Sequence, residues 1–286
     1  MTKRRIRRGL FLLAFMIAAV VVFSSESRED IRQTGTEAGV DLPVIMYHSI
    51  LDSDAKAGKY IVTPAQLEKD VQYLLSQGYT PINVADLINY VNGSSDLPTK
   101  PVMLTFDDGF YNNYSYAFPI AKKYNVKIVI AAIGTCSDLF SQSEEELHNT
   151  YSHLTWDNMR EMLQSGFVEI QSHTYDMHGE GSRKGFEMQR GETEEQYRQA
   201  VSEDLKKMSD RMQAELHVSP TAVMYPFGYY RDDSDDFLKS LGYSATFTCY
   251  EHHNIITRDS DSLFGLGRYN RASGKTSEQF FAGILT

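Results

Sequence analysis

The chain has 286 residues, 42% of them hydrophobic, which is enough apolar side chain to build a full core and excludes a disordered polymer. A formal net charge of −10 argues against non-specific nucleic-acid binding, which rests on basic patches. The two cysteines, Cys136 and Cys249, form no CxxC zinc or redox motif and read as buried thiols, with a single disulfide as the alternative.

The amino terminus carries Lys3, Arg4, Arg5, Arg7 and Arg8 ahead of an uncharged apolar run from Gly9 to Phe23. That is the n-region and h-region pattern of an export segment. The run is shorter than the ~20 residues of a membrane span, and Ser24-Ser25-Glu26-Ser27 offers no clean cleavage site. Residues 1–23 therefore read equally as a signal peptide or a membrane anchor. Either one places the remainder outside the cytoplasm. Residues 24–42 are polar and aperiodic and read as a linker. Residues 43–286 read as one folded domain.

Within that domain apolar runs alternate with amphipathic ones. Val44 to Tyr47 is a buried strand ending at His48. Thr63 caps a helix with Pro64 at its first position, and Gly78 ends it. Strands are predicted over 79–84, 101–106, 126–133, 167–172, 221–225, 244–250 and 263–269. Helices are predicted over 85–91, 111–124, 157–164, 192–216 and 235–241. The segment 134–153 is polar and reads as an insertion, with Glu144 to Glu146 as a solvated face. Strands alternating with helices imply parallel βαβ units. The fold class is α/β, a distorted (β/α) barrel of about seven parallel strands, with chemistry at the strands' carboxyl ends.

Four polar clusters stand at those ends. Thr105-Phe106-Asp107-Asp108-Gly109 holds adjacent carboxylates, which cannot both be buried without a cation or a proton. His173-Thr174-Tyr175-Asp176-Met177-His178 holds two histidines whose spacing of five fits neither one helix face nor one strand face. Both imidazoles converge only if 175–177 make a turn. Tyr225-Pro226-Phe227-Gly228 is a turn whose Phe227 N–H can face an oxyanion. Tyr47-His48-Ser49 is the fourth. Taken singly, each has a plainer reading: a surface Asp-Asp-Gly turn, two solvated loop histidines, an ordinary turn and a structural core histidine. Together, one carboxylate and two histidines make an open metal set, leaving a second Asp as base and His48 as acid. The 18 tyrosines suit a surface that meets sugars, although Tyr also serves at the rim of a core.

The set TFDDG, SHTYDMH and YPFG resembles the polysaccharide deacetylase family, carbohydrate esterase family 4, from about Pro43 to the carboxyl-terminal region. The resemblance implies Asp107 as general base and Asp108, His173 and His178 as ligands of a divalent metal, expected to be Zn²⁺. It implies Tyr225, Pro226 and Phe227 at the substrate and oxyanion. The usual histidine spacing is four. The variant here looks like the branch acting on poly-β-1,6-N-acetylglucosamine, an exopolysaccharide of biofilms. The Arg that usually precedes the YPFG-type turn is missing, and Arg268 or Arg271 is a candidate to replace it in space. The late Leu-x-x-His carrying the acid is also absent, and Met46-Tyr47-His48 resembles the early-strand acid of the exopolysaccharide branch. The function implied is metal-dependent removal of N-acetyl groups from an extracellular or cell-wall polysaccharide containing N-acetylglucosamine. The alternatives are a non-catalytic polysaccharide-binding module and an O-acetyl esterase on the same scaffold. The partner expected is that polymer, with no nucleic acid, and with the membrane only through an uncleaved 1–23 segment.

Overall fold

The computed structural model describes residues 39–179 and 183–285. The segment read as signal peptide or anchor, and the linker before residue 39, lie outside the described residues. Among the described residues twelve strands occur: β1 (Val40–Leu42), β2 (Val44–Tyr47), β3 (Ser49–Ile50), β4 (Ile61–Val62), β5 (Thr80–Ile82), β6 (Pro101–Phe106), β7 (Ile128–Ala132), β8 (Val168–Ser172), β9 (Ala222–Met224), β10 (Ala245–Phe247), β11 (Asn254–Ile256) and β12 (Tyr269–Asn270). The main sheet runs β10-β9-β8-β7-β6-β2-β12, with β5 paired to the lower half of β6. Every pairing within it is parallel.

The sheet curls into the expected distorted barrel, and one segment brings its ends together. Leu266 bridges Phe247 of β10, and three and four residues later Tyr269 and Asn270 pair with Ile45 and Met46 of β2. The strand expected over 263–269 is shortened to β12 for this reason. Its first residue, Leu263, ends a 3₁₀ turn, Ser260–Leu263, Leu266 makes a single bridge to Phe247, and only its last residue, Tyr269, belongs to β12. β2, β6 and β7 are buried along their whole length, so they read in sequence as continuous apolar runs.

Local signals placed most helices. Thr63 Oγ1 accepts the Gln66 N–H at the start of the helix Pro64–Ser76. Asn83 and Asp86 form a capping box at Val84–Val91. Two expectations need correction. The polar insertion begins with a helix, Gly134–Gln142, rather than irregular chain. Residues 40–42, read as the end of the linker, form β1 and pair antiparallel with β11. Cys136 and Cys249 are unpaired, half-buried thiols.

A buried ion pair ties the barrel to its carboxyl-terminal end. Asp70, on the helix Pro64–Ser76, accepts from Arg271 Nε at 2.8 Å and Nη2 at 3.1 Å, and both side chains are fully buried. Tyr47 Oη and Ser277 Oγ also donate to Asp70, at 3.0 and 2.7 Å. Removing one partner of such a pair leaves an uncompensated charge. Asp70→Ala is therefore expected to cost about 3–5 kcal/mol. Urea denaturation checks this, and a loss below ~1 kcal/mol, the worth of an exposed pair, would contradict it.

Candidate active site

The site is built where β6 ends. Asp107 still belongs to the ladder, its N–H donating to the Tyr47 carbonyl at 3.0 Å. Asp108 then turns into the left-handed region at φ 68° and Gly109 follows at φ 65°. Asp is one of the few non-glycine residues that tolerate this conformation. A Cβ on Gly109 would also meet Ala132 Cα at 3.2 Å. The two left-handed residues break the alternation of the strand, so the neighbouring carboxylates take different partners.

Asp108 faces the two histidines. Its Oδ1 lies 3.5 Å from His173 Nε2 and 3.3 Å from His178 Nε2. The three candidate ligand atoms lie within 4.8 Å of one another. His173 Nδ1 is 2.9 Å from the Met224 carbonyl oxygen. Since a carbonyl only accepts, Nδ1 carries the proton and the Nε2 lone pair faces Asp108. Asp108 Oδ1 is buried with no hydrogen-bond partner. A buried carboxylate oxygen without a donor, facing two imidazole nitrogens, fits a cation. The electrostatics agree: burial disfavours charged His173, yet the Asp107 and Asp108 carboxylates outweigh burial and raise its pKa. The cluster attracts positive charge.

Asp107 is held elsewhere. Arg268 donates from Nη1 to Oδ1 at 2.6 Å and from Nη2 to Oδ2 at 2.8 Å, and it is anchored by Nε to the Thr248 carbonyl at 2.8 Å. Burial would raise the Asp107 pKa. The Arg268 guanidinium, with His173, overrides burial and holds the carboxyl well below the usual range. Of the two arginines that sequence offered for this place, Arg268 takes it, and Arg271 belongs to Asp70.

His48, Asp107, Asp108, His173, His178 and Phe227 all line one cavity of about 990 Å³. His48 packs its ring against Tyr60, centroids 4.7 Å apart. His48 Nδ1 is buried without a hydrogen-bond partner. Phe227 adopts φ 58° and stacks on His178 at 4.2 Å. Tyr225 and Pro226, expected with it at the substrate, do not line the cavity. The Tyr225 side chain is fully buried, with its hydroxyl donating to Asp235 at 2.7 Å.

Several contributors had no sequence signal of their own. His153 lies with Nδ1 2.9 Å from the Asp108 carbonyl oxygen and holds the turned backbone. Asn113 Nδ2 donates to the His48 carbonyl at 2.9 Å. Tyr60, Tyr229 and Tyr250 join Phe227 as exposed rings on the cavity wall, the kind of amphipathic face that the tyrosine-rich composition hinted at.

The polysaccharide deacetylase family model matches residues 94–246, more than half of the chain. A poly-beta-1,6-N-acetyl-D-glucosamine N-deacetylase of Escherichia coli K12 is 29% identical over 222 residues, 71% of this chain. The chain spans about a third, 33%, of that relative's length. A de-N-acetylase structure from Aggregatibacter actinomycetemcomitans superposes with a TM-score of 0.72 at 27% identity, over 86% of this chain and 100% of its own. The structure of IcaB from Ammonifex degensii gives 0.68 at 25%, over 87% and 98%. Barrel, turned Asp-Asp pair and matched segment together make this chain a member of the polysaccharide deacetylase family.

Proposed function

We propose that the chain hydrolyses N-acetyl groups from N-acetylglucosamine units of an extracellular or cell-wall polysaccharide, with a divalent cation, Zn²⁺, held by Asp108, His173 and His178. The observation that carries this reading is the orphaned Asp108 oxygen facing two imidazoles, beside a second carboxylate locked by Arg268 in the same cavity. A binding module has no use for such a division of labour between adjacent carboxylates. Relatives named as poly-beta-1,6-N-acetyl-D-glucosamine N-deacetylases support that polymer as the substrate. Export through the 1–23 segment, as signal peptide or anchor, brings enzyme and polymer together.

One carboxylate and two imidazoles suit zinc, which acidifies water and polarises a carbonyl when bound in an open site. Asp107 takes the proton of the attacking water as its oxygen bonds to the acetamide carbon. Arg268 keeps Asp107 ionised and fixes its plane. The Phe227 N–H, at the left-handed turn, donates to the developing oxyanion. His48 gives a proton to the nitrogen as the C–N bond breaks, so acetate and a free amine leave.

The test is acetate release from defined β-1,6-linked N-acetylglucosamine oligomers. Release is expected, with loss on chelation and recovery on adding Zn²⁺. Oligomer binding without release would favour the binding module. Release only from O-acetylated sugars would favour the esterase. Activity indifferent to chelator would remove the metal from the reading.

A further inference from the structure

The chain between His173 and His178 is gripped from two sides. On its carbonyl side, Thr174 and Tyr175 accept from the Gly134 N–H at 3.1 Å, the Thr135 N–H at 2.9 Å and Thr135 Oγ1 at 3.0 Å. These donors open the helix Gly134–Gln142. A Cβ on Gly134 would meet Tyr175 Cδ2 at 2.4 Å, so only glycine lets the loop lie that close. On its amide side the partner comes from a different element, the helix Glu194–Leu216. Asp204 accepts the Tyr175 N–H on Oδ1 at 2.8 Å and the Asp176 N–H on Oδ2 at 2.7 Å.

This grip addresses the spacing of five. Thr174 sits at φ 71°, an unfavourable conformation for a β-branched residue. The next two amides then point together, away from any strand or helix partner of their own. A carboxylate with two oxygens satisfies both at once, through charge-assisted bonds about twice as strong as neutral ones. The Met177 N–H closes the turn on Thr174 Oγ1 at 3.2 Å, and the chain reaches His178.

We propose that Asp204 is the positioning residue for the histidine pair, holding the 174–177 turn so that His173 and His178 face one point before any ion arrives. The proposal rests on the reading of Asp108, His173 and His178 as metal ligands. Asp204 touches neither imidazole. Its effect on the ion runs through the backbone of the turn, and metal affinity reads that effect directly.

The experiment titrates Zn²⁺ into metal-free protein against a chromophoric chelator, for wild type, Asp204→Asn and Leu205→Ala. The Asn keeps the size of the side chain but offers one acceptor, and its NH₂ faces an amide N–H, donor against donor. Leu205 is the buried neighbour on the same helix and makes a stability control. Asp204→Asn is expected to weaken Zn²⁺ about 10–100-fold, the loss typical of supports behind a ligand. Leu205→Ala, whose metal-free thermal midpoint falls at least as far, is expected to bind Zn²⁺ like wild type. Equal affinity in wild type and Asp204→Asn overturns the proposal, as does an equal loss in Leu205→Ala. Wild type that binds no Zn²⁺ at all overturns the metal reading and this proposal with it, an outcome distinct from those two. If Asp204→Asn does not fold, hydrogen exchange of metal-free wild type decides. The Tyr175 and Asp176 amides are expected to be protected, and exchange at the rate of an open loop overturns the clamp.

Discussion

Asp107→Asn is expected to lower kcat by about 10²–10⁴-fold, the usual worth of a positioned general base, while Zn²⁺ affinity stays near that of wild type. The amide cannot take a proton from water. Each Asp107 oxygen already accepts one Arg268 hydrogen and keeps a second lone pair free for that task. Zinc affinity is spared because Asp108, not Asp107, faces the histidines. The variant also leaves the Arg268 charge without its counterion, so stability falls as well, and with a definite pH dependence. The wild-type carboxyl has its folded pKa depressed below the unfolded value of about 3.9. Its contribution is therefore complete above that value and is lost as pH falls through the folded pKa. The gap in thermal midpoint between wild type and variant should be widest near neutrality and close in acid. Turnover close to wild type would remove Asp107 from the mechanism. A gap that widens in acid would contradict the Arg268 account.

The divergence of the Asp107 and Asp108 side chains is legible because it is local. A strand of buried residues runs into Asp-Asp-Gly, and one left-handed turn sends the neighbouring carboxylates to different partners. The caps at Thr63 and Asn83 were equally plain, since a cap is a bond to a residue three positions on. What could not be read is long-range. Arg268 and Asp107 are 161 residues apart, and two arginines close in sequence offered themselves for one place. Barrel closure decides between them: the 266–270 segment carries Arg268 to Asp107 and Arg271 to Asp70. The resemblance implies Tyr225 at the substrate, together with Pro226 and Phe227. The Tyr225 ring instead stacks on Tyr230 and its hydroxyl serves Asp235, and within Tyr225-Pro226-Phe227-Gly228 only Phe227 and Gly228 reach the cavity. The helix Gly134–Gln142 escaped because its apolar positions are few, and it is placed by bonds to the ligand loop rather than by a buried stripe.

His48→Ala is expected to lower turnover by about 10²-fold or more on a substrate with a poor leaving group, with little loss of stability. The competing account, a histidine that caps its strand, predicts the reverse. The surroundings of His48 separate the two. Its carbonyl is held by Asn113 whatever the side chain, while its Nδ1 makes no hydrogen bond. Deleting the ring therefore removes the tilted ring contact with Tyr60 but no bond that secures the strand end. The pH profile gives the sharper check. A general acid works in its protonated form, so it sets the alkaline limb of kcat/KM. Burial lowers the His48 pKa, and although Asp107 and Asp108 pull it upward, it stays below the ordinary histidine value of about 6.5. A bound divalent cation acts in the same direction as burial. The wild-type limb should thus fall on the acid side of that value and vanish in His48→Ala. If the limb persists and the rate drops less than about tenfold, below the range of a positioned acid, another residue protonates the departing amine and His48 only lines the cavity.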